Sequence, residues 1–199
     1  YEKMYAPPRI DPTVGVYENQ IIYEERMARA LNISTGSKVL DIGCGRGRIA
    51  HHVSSYTGAS VTGLNIDPVQ LGFANEYAQQ TGMDKKINFV RHDYNQRLPF
   101  PDNHFDGLYY VQVLSYPTDL ERFFSECFRV VKPGGMVAFE DYVKGPSYNN
   151  SDPEQRRLLK LAKPVLGGVV EVKPAVLQAA IEKVGFKVHS SQSEDHEGE

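Results

Sequence analysis

Cysteine is scarce in this sequence, and that bounds its compartment. Cys44 and Cys127 are the two thiols, too few for a disulfide framework. A reducing, cytoplasmic setting is therefore expected. A surplus of basic charge is also lacking: 22 Lys and Arg stand against 25 Asp and Glu, a net charge of −3. The chain has no electrostatic footprint for nucleic acid. No apolar run approaches membrane-spanning length, and no secretory leader is visible. Metal-ligand spacing is missing too. His51 and His52 are adjacent, so on a helix they do not share a face as i,i+4 ligands would. The chain starts at Tyr1 rather than Met, which reads as a trimmed or partial protein.

What is present suits one folded domain. The 199 residues are 41% hydrophobic and 24% charged, ordinary for a globular chain long enough to bury a core. Everything is organised around Val39–Ile49, Val-Leu-Asp-Ile-Gly-Cys-Gly-Arg-Gly-Arg-Ile. The apolar run Lys38–Ile42 reads as a buried parallel strand. Gly43, Gly45 and Gly47 then permit a sharp turn and a close backbone approach to a ligand. The helix that follows points its free N–H groups at that ligand. A phosphate loop would need Lys-Ser or Lys-Thr after its last glycine, and a dinucleotide loop a glycine at position 48, where Arg48 stands. Asp41, inside the strand end, suits a cationic ligand better than a pyrophosphate.

The rest of the chain alternates helix and strand. Helices are expected over Tyr17–Leu31, Gly47–Tyr56, Asp67–Thr81, Thr118–Val131, Glu154–Ala162 and Pro174–Val184. Asp67 before Pro68 marks a helix start, cap then proline. Strands are expected over Ser60–Leu64, Lys86–Arg91, Phe105–Val111, Met136–Tyr142 and, sixth, Phe186–His189. Lys163–Val172 stays ambiguous. The first helix should pack beside the first strand and roof the ligand pocket. This pattern implies an α/β fold, a doubly wound, mostly parallel sheet with helices on both faces. Ligands then sit outside the carboxyl ends of the strands, a rim that holds Asp41, Asn65, Asp93 and Val111-Gln112. Five tyrosines, Tyr109, Tyr110, Tyr116, Tyr142 and Tyr148, fall near that rim.

These motifs resemble the class I S-adenosylmethionine-dependent methyltransferases, from about Tyr17 to Phe186. The turn itself, Gly58–Asn65 (GASVTGLN), Pro68–Gln70, Asp93–Phe100, Phe105-Asp106 and Arg129–Gly135 (RVVKPGG) carry the match. Within the class the chain looks most like the sterol C-24 methyltransferase branch, with kinship to tocopherol methyltransferases and cyclopropane-fatty-acid synthases. The resemblance implies S-adenosyl-L-methionine as donor and S-adenosyl-L-homocysteine as product. By it, Asp41, Gly43 and Gly45 flank the methionine part, and Cys44 offers its backbone. Asn65 holds the ribose, where most of the class has an acid. Gln70 matches a cofactor-contacting Gln of the cyclopropane relatives. Asp93 accepts from the adenine amino group with Tyr94 beside the ring, and Ile66 and Val111 complete the cofactor set. The implied domains are an arm or lid over 1–16, a methyltransferase domain over 17–190 and an acidic tail over 191–199.

The departures concern the acceptor. The sterol branch carries an acid and a histidine after the fourth strand, where this chain has Gln112 and Tyr116. The branch's aromatic N-terminal stretch is absent, and so is its antiparallel closing strand after Ser190. The expected partner is a small, apolar acceptor, lipid-like or polycyclic, methylated at carbon, with Gln112 and Tyr116 on the acceptor side. N- or O-methylation of another natural product stays open, as does an accessory subunit that keeps the fold without efficient catalysis. The oligomeric state is open as well.

Overall fold

The computed structural model describes residues 5, 7, 9–145, 147–166 and 173–192. Among the described residues five strands form one sheet: β1 (Lys38–Ile42), β2 (Ser60–Asn65), β3 (Ile87–Arg91), β4 (Phe105–Val111) and β5 (Val131–Glu140). Their order is β3-β2-β1-β4-β5, every pair parallel. The chain leaves β1 toward β2 and β3, then returns to the other side for β4 and β5. That reversal opens a crevice at the carboxyl ends of β1 and β4.

Among the described residues there are six helices, α1 (Val16–Ala30), α2 (Arg48–Thr57), α3 (Pro68–Gln80), α4 (Leu120–Val130), α5 (Pro153–Leu166) and α6 (Pro174–Lys183); α1 to α4 pack on the sheet and α6 on α4. Successive strand residues point to opposite faces, and the core divides accordingly. Leu40, Ile42, Leu64, Leu108 and Tyr110 pack with Phe123, Phe124 and Cys127 of α4. Val39, Val61, Ile87 and Tyr109 pack with Met27 of α1 and with Ala50 and Val53 of α2. The start of α3 is as read from sequence: Asp67 Oδ1 accepts from the N–H groups of Val69 at 2.8 Å and Gln70 at 3.3 Å, and Pro68 opens the helix.

Several expectations need correction. Helix α1 packs against α2 and touches β5, and none of its residues lines the ligand cavity. It is not the roof, because its apolar stripe is committed to α2 and the sheet below. Strand β5 starts at Val131, not Met136: Val131 pairs with Phe105, then Met136 with Gly107. Lys132–Gly135 bulges out between the two, with Gly134 at φ 79°, a left-handed turn that glycine adopts without strain. The sixth strand does not form. Residues 186–190 carry no ladder, and a strand without a neighbouring edge leaves its N–H and C=O groups unpaired. Phe186 instead packs its ring edge-on to Phe128, centroids 5.1 Å apart. Helix α5 absorbs the first part of the ambiguous stretch, to Leu166; residues 167–172, and 193–199 of the tail, lie outside the described residues.

Candidate active site

The glycine turn builds the floor. Gly43, Gly45 and Gly47 have φ of 73°, 54° and 75°, a region that L side chains rarely adopt. The N–H groups of Gly43 and Cys44 donate to the Leu64 carbonyl at 2.8 and 3.1 Å, which ties the turn to β2. A Cβ on Gly43 would strike the Val113 side chain, and one on Gly47 the Phe89 ring. The turn is therefore shaped for backbone approach, and a cavity of about 740 Å³ opens above it.

Eight of the twelve residues named from sequence as site candidates come from loops that follow strands, and eleven line this cavity. Asn65 and Gln70 share one wall. The Asn65 Nδ2 donates to Gln70 Oε1 at 3.1 Å and to the Gly45 carbonyl at 3.4 Å, so the end of β2 is braced onto both the turn and α3. Asp67 lines the same wall while capping α3. At the end of β3, Asp93 accepts the Asn95 N–H at 2.9 Å, and the Tyr94 hydroxyl donates to the Val113 carbonyl at 3.4 Å. Beyond β4 stand Val111, Gln112, Val113 and Tyr116, with Tyr142 from the end of β5.

Asp41 is the exception. It is 2% exposed, does not line the cavity, and accepts the Tyr109 hydroxyl at 3.1 Å beneath the turn. Burial pushes its carboxyl up to about 8, against the lowering effect of that hydrogen bond. It is a buried support below the cradle rather than an acid presented to a ligand. Tyr109 and Tyr110 are also corrected: both are fully buried in the two cores and neither is on the rim. A strand covered on both faces hides every side chain, whichever way it points. Tyr148 sits under the Lys144 ammonium, 4.9 Å from its ring centre, away from the cavity lining.

The sequence reading missed the wall nearest α1. Tyr5 and Arg48 both line the cavity, and the wholly buried Glu24 of α1 lies behind them. Its Oε1 accepts the Tyr5 hydroxyl at 2.7 Å and pairs with the Arg48 guanidinium. Its Oε2 meets His52 Nδ1 at 2.7 Å. Burial, then the Arg48 charge, lowers His52 below its ordinary range. Gln20 Nε2 donates to the Tyr5 carbonyl at 2.6 Å. Only the odd Arg48 in a glycine turn signalled this cluster.

A doubly wound parallel sheet with a three-glycine cradle at the end of β1 and polar side chains at the ends of β2 and β3 defines the class I methyltransferase fold. Residues 40–139 match the family described as "Methyltransferase domain", and the chain belongs to that family. It is 42% identical over 136 residues to sterol 24-C-methyltransferase ERG6B of Gibberella zeae, covering 68% of this chain and 36% of that one. It is 33% identical over 181 residues to methyltransferase phqN of Penicillium fellutanum, 90% of this chain and 55% of that one. The chain thus spans roughly a third to half of the length of these relatives. Among solved structures, geranyl diphosphate C-methyltransferase from Streptomyces coelicolor A3(2) superposes with a TM-score of 0.75 at 19% identity, covering 96% of this chain and 73% of that one. The [4+2]-cyclase SpnF superposes with a TM-score of 0.78 at 24% identity, over 94% and 64%. Both show the fold alone.

Proposed function

We propose that this chain is the donor-binding and catalytic part of an S-adenosyl-L-methionine-dependent methyltransferase whose acceptor is a small apolar molecule, lipid-like or polycyclic, methylated at carbon. The observation that carries the donor is the glycine cradle, where added Cβ atoms would collide, set under a cavity walled by Asn65, Gln70, Asp93 and Tyr94. The sterol in the name of the Gibberella zeae relative supports the acceptor class. A cytoplasmic setting fits two buried free thiols, and no described helix is long and apolar enough to cross a membrane.

When bound, the donor supplies a methyl group already activated on a sulfonium. The protein's share is alignment and exclusion of water. The backbone of the turn would hold the methionine part, through groups other than the Gly43, Cys44 and Gly47 N–H groups, which are bonded within the protein. Asn65 and Gln70 would hold the ribose, and Asp93 and Tyr94 the adenine. The wall beyond β4, Gln112, Val113, Tyr116 and Tyr142, faces the acceptor. Gln112 and Tyr142 share a side-chain hydrogen bond, and burial raises Tyr142 above its ordinary range, so neither is a ready base at neutral pH. An alkene acceptor would pass through a cation that the tyrosine faces stabilise.

Titration with S-adenosyl-L-homocysteine and, separately, NAD by calorimetry tests the donor. The homocysteine product should bind and NAD should not. Gly45→Val should abolish binding by forcing a β-branched residue to a positive φ. Asn65→Ala should weaken it by about 1–2 kcal/mol, one or two hydrogen bonds. Labelled-methyl transfer to a total lipid extract tests the acceptor. Binding of NAD in place of the homocysteine would overturn the reading.

A further inference from the structure

Three consecutive backbone N–H groups at the end of β4 all donate to two residues at the end of β5. Gln112 donates to the Glu140 carbonyl at 2.8 Å. Val113 and Leu114 donate to one oxygen of Asp141, Oδ2, at 2.8 and 2.6 Å. The other oxygen, Oδ1, accepts the N–H of Tyr142 at 2.9 Å. We propose that Asp141 is the positioning residue of the acceptor wall: its carboxylate clasps the Val113 and Leu114 amides and fixes where Gln112, Tyr116 and Tyr142 stand. This rests on reading that wall as the acceptor side.

The backbone explains why a clasp is needed. Gln112 has φ 58°, a conformation that costs a non-glycine residue free energy and persists only when its surroundings impose it. The strand must break its pleat there to turn Gln112 into the cavity. Bonds to residues on both sides of the kink supply the constraint, and the acceptors are a carbonyl and a half-buried charge. Charge-assisted bonds of this kind are about twice as strong as neutral ones. The same turn carries Tyr116, whose N–H donates to the Val113 carbonyl at 3.2 Å. Displacing Val113 therefore displaces Tyr116. Tyr142 follows Asp141 directly and is held by Oδ1 while it shares a bond with Gln112. One carboxylate thus touches the backbone of both segments that supply the wall.

Burial raises the Asp141 carboxyl to about 6, the three amide bonds opposing that rise. The titratable groups that face it are Tyr94 after β3, Tyr110 in β4 and its neighbour Tyr142, with Glu140 one residue before it. Above that pH the charged form clasps; below it the acid is neutral and a weaker acceptor. Acceptor turnover should fall on the acid side while donor binding does not.

The test uses the whole chain labelled with nitrogen-15. The amide protons of Val113 and Leu114 should shift together as pH is lowered from 8 to 3, with one shared midpoint. Resonances that stay flat overturn the proposal, and no variant is needed to see it. In Asp141→Asn the shared titration should vanish. The lipid-extract concentration giving half-maximal labelled-methyl transfer should rise about tenfold, the worth of one charged hydrogen bond. Affinity for S-adenosyl-L-homocysteine should stay within about twofold of the parent, since the clasp reaches the donor wall through one long bond, the Tyr94 hydroxyl on the Val113 carbonyl at 3.4 Å. If donor affinity falls instead, the wall is not an acceptor wall and the proposal fails. Titrating amides in a parent that transfers no methyl to lipid would bring down the acceptor reading and leave the clasp itself standing. Flat amides in an active parent would overturn the clasp alone.

Discussion

Tyr109 and Tyr110 are neighbours in β4 and equally buried, at 0% exposure each, yet they sit in different chemistry. Tyr110 faces α4. Its ring stacks on Phe139 at 4.4 Å and meets Phe123 edge-on at 5.8 Å. Its hydroxyl has no hydrogen-bond partner among the described residues. Tyr109 faces α1 and α2, and its hydroxyl reaches Asp41. On that side the sheet buries acids and bases: Asp41 under the turn, Glu24 with Arg48, His52 and Tyr5 beside it. One face is held by ring packing. The other adds, beside its aliphatic packing, buried polar groups that must be paired to be tolerated. The polar face is the one under the glycine cradle, so the costly groups lie where the cavity needs fixed walls.

The comparison can be broken by substitution. Phe124→Ala removes the centre of the ring cluster, where Phe124 lies 5.3 Å from Phe123 and 5.5 Å from Phe139. It should cost about 4 kcal/mol in chemical denaturation, without pH dependence, as large-to-small changes in closed cores do. Glu24→Ala should cost about 3 kcal/mol because it removes the buried carboxylate that the Arg48 guanidinium pairs with, and it should also shift Tyr5 and loosen the cavity wall. If Glu24→Ala were neutral, the polar face would be decoration.

A pH titration sharpens the contrast. Asp41 has its carboxyl raised to about 8, so the folded state keeps a proton that the unfolded state releases near 4. Its contribution to stability is present at low pH and is lost as pH rises through the folded value. Between pH 6 and pH 7.5 the parent should lose about 2 kcal/mol more than Asp41→Asn, the slope of one proton. Denaturation midpoints at the two pH values measure it, and parallel slopes in the two proteins would erase the distinction between the faces.

The smallest effects come from the two hydroxyls. Tyr109→Phe should cost about 1 kcal/mol, one hydrogen bond to a buried acid. Tyr110→Phe should be neutral or stabilise by up to about 1 kcal/mol, since it deletes a buried hydroxyl that nothing meets. Equal costs would mean that Tyr110 has a partner after all.

The sequence announced what is local. The buried run before Gly43, the three glycines and the Asp67-Pro68 helix start are each readable within a few residues, because the backbone rule and the residue that satisfies it are adjacent. Asn65 and Asp93 were readable because strand ends in a parallel sheet converge on one edge, whereas Gln70 and Tyr94 came through the family resemblance. The Tyr5–Glu24–Arg48 cluster was not, since its members are brought together only by packing α1 on α2. The Asp141 clasp escaped for the same reason: nothing in Glu140-Asp141-Tyr142 says that its oxygens reach 27 and 28 residues back. Phe186–His189 failed in the opposite direction. Its composition is that of a strand, but a strand is a relation to a neighbour, and Phe128 offered a ring instead.

The division between the faces also gives each its own clock. Cys44 lies among Asp41 and Tyr109, and Cys127 beside Tyr110 in the ring cluster. Burial raises both thiols well above the ordinary cysteine range, so the reactive thiolate is scarce while the fold is closed. Alkylation must then wait for opening, and local opening differs from place to place in a native protein. The rate at which each thiol is capped reads how often its own half of the molecule breathes, in one unlabelled chain, with the sheet as the partition between two independent timers.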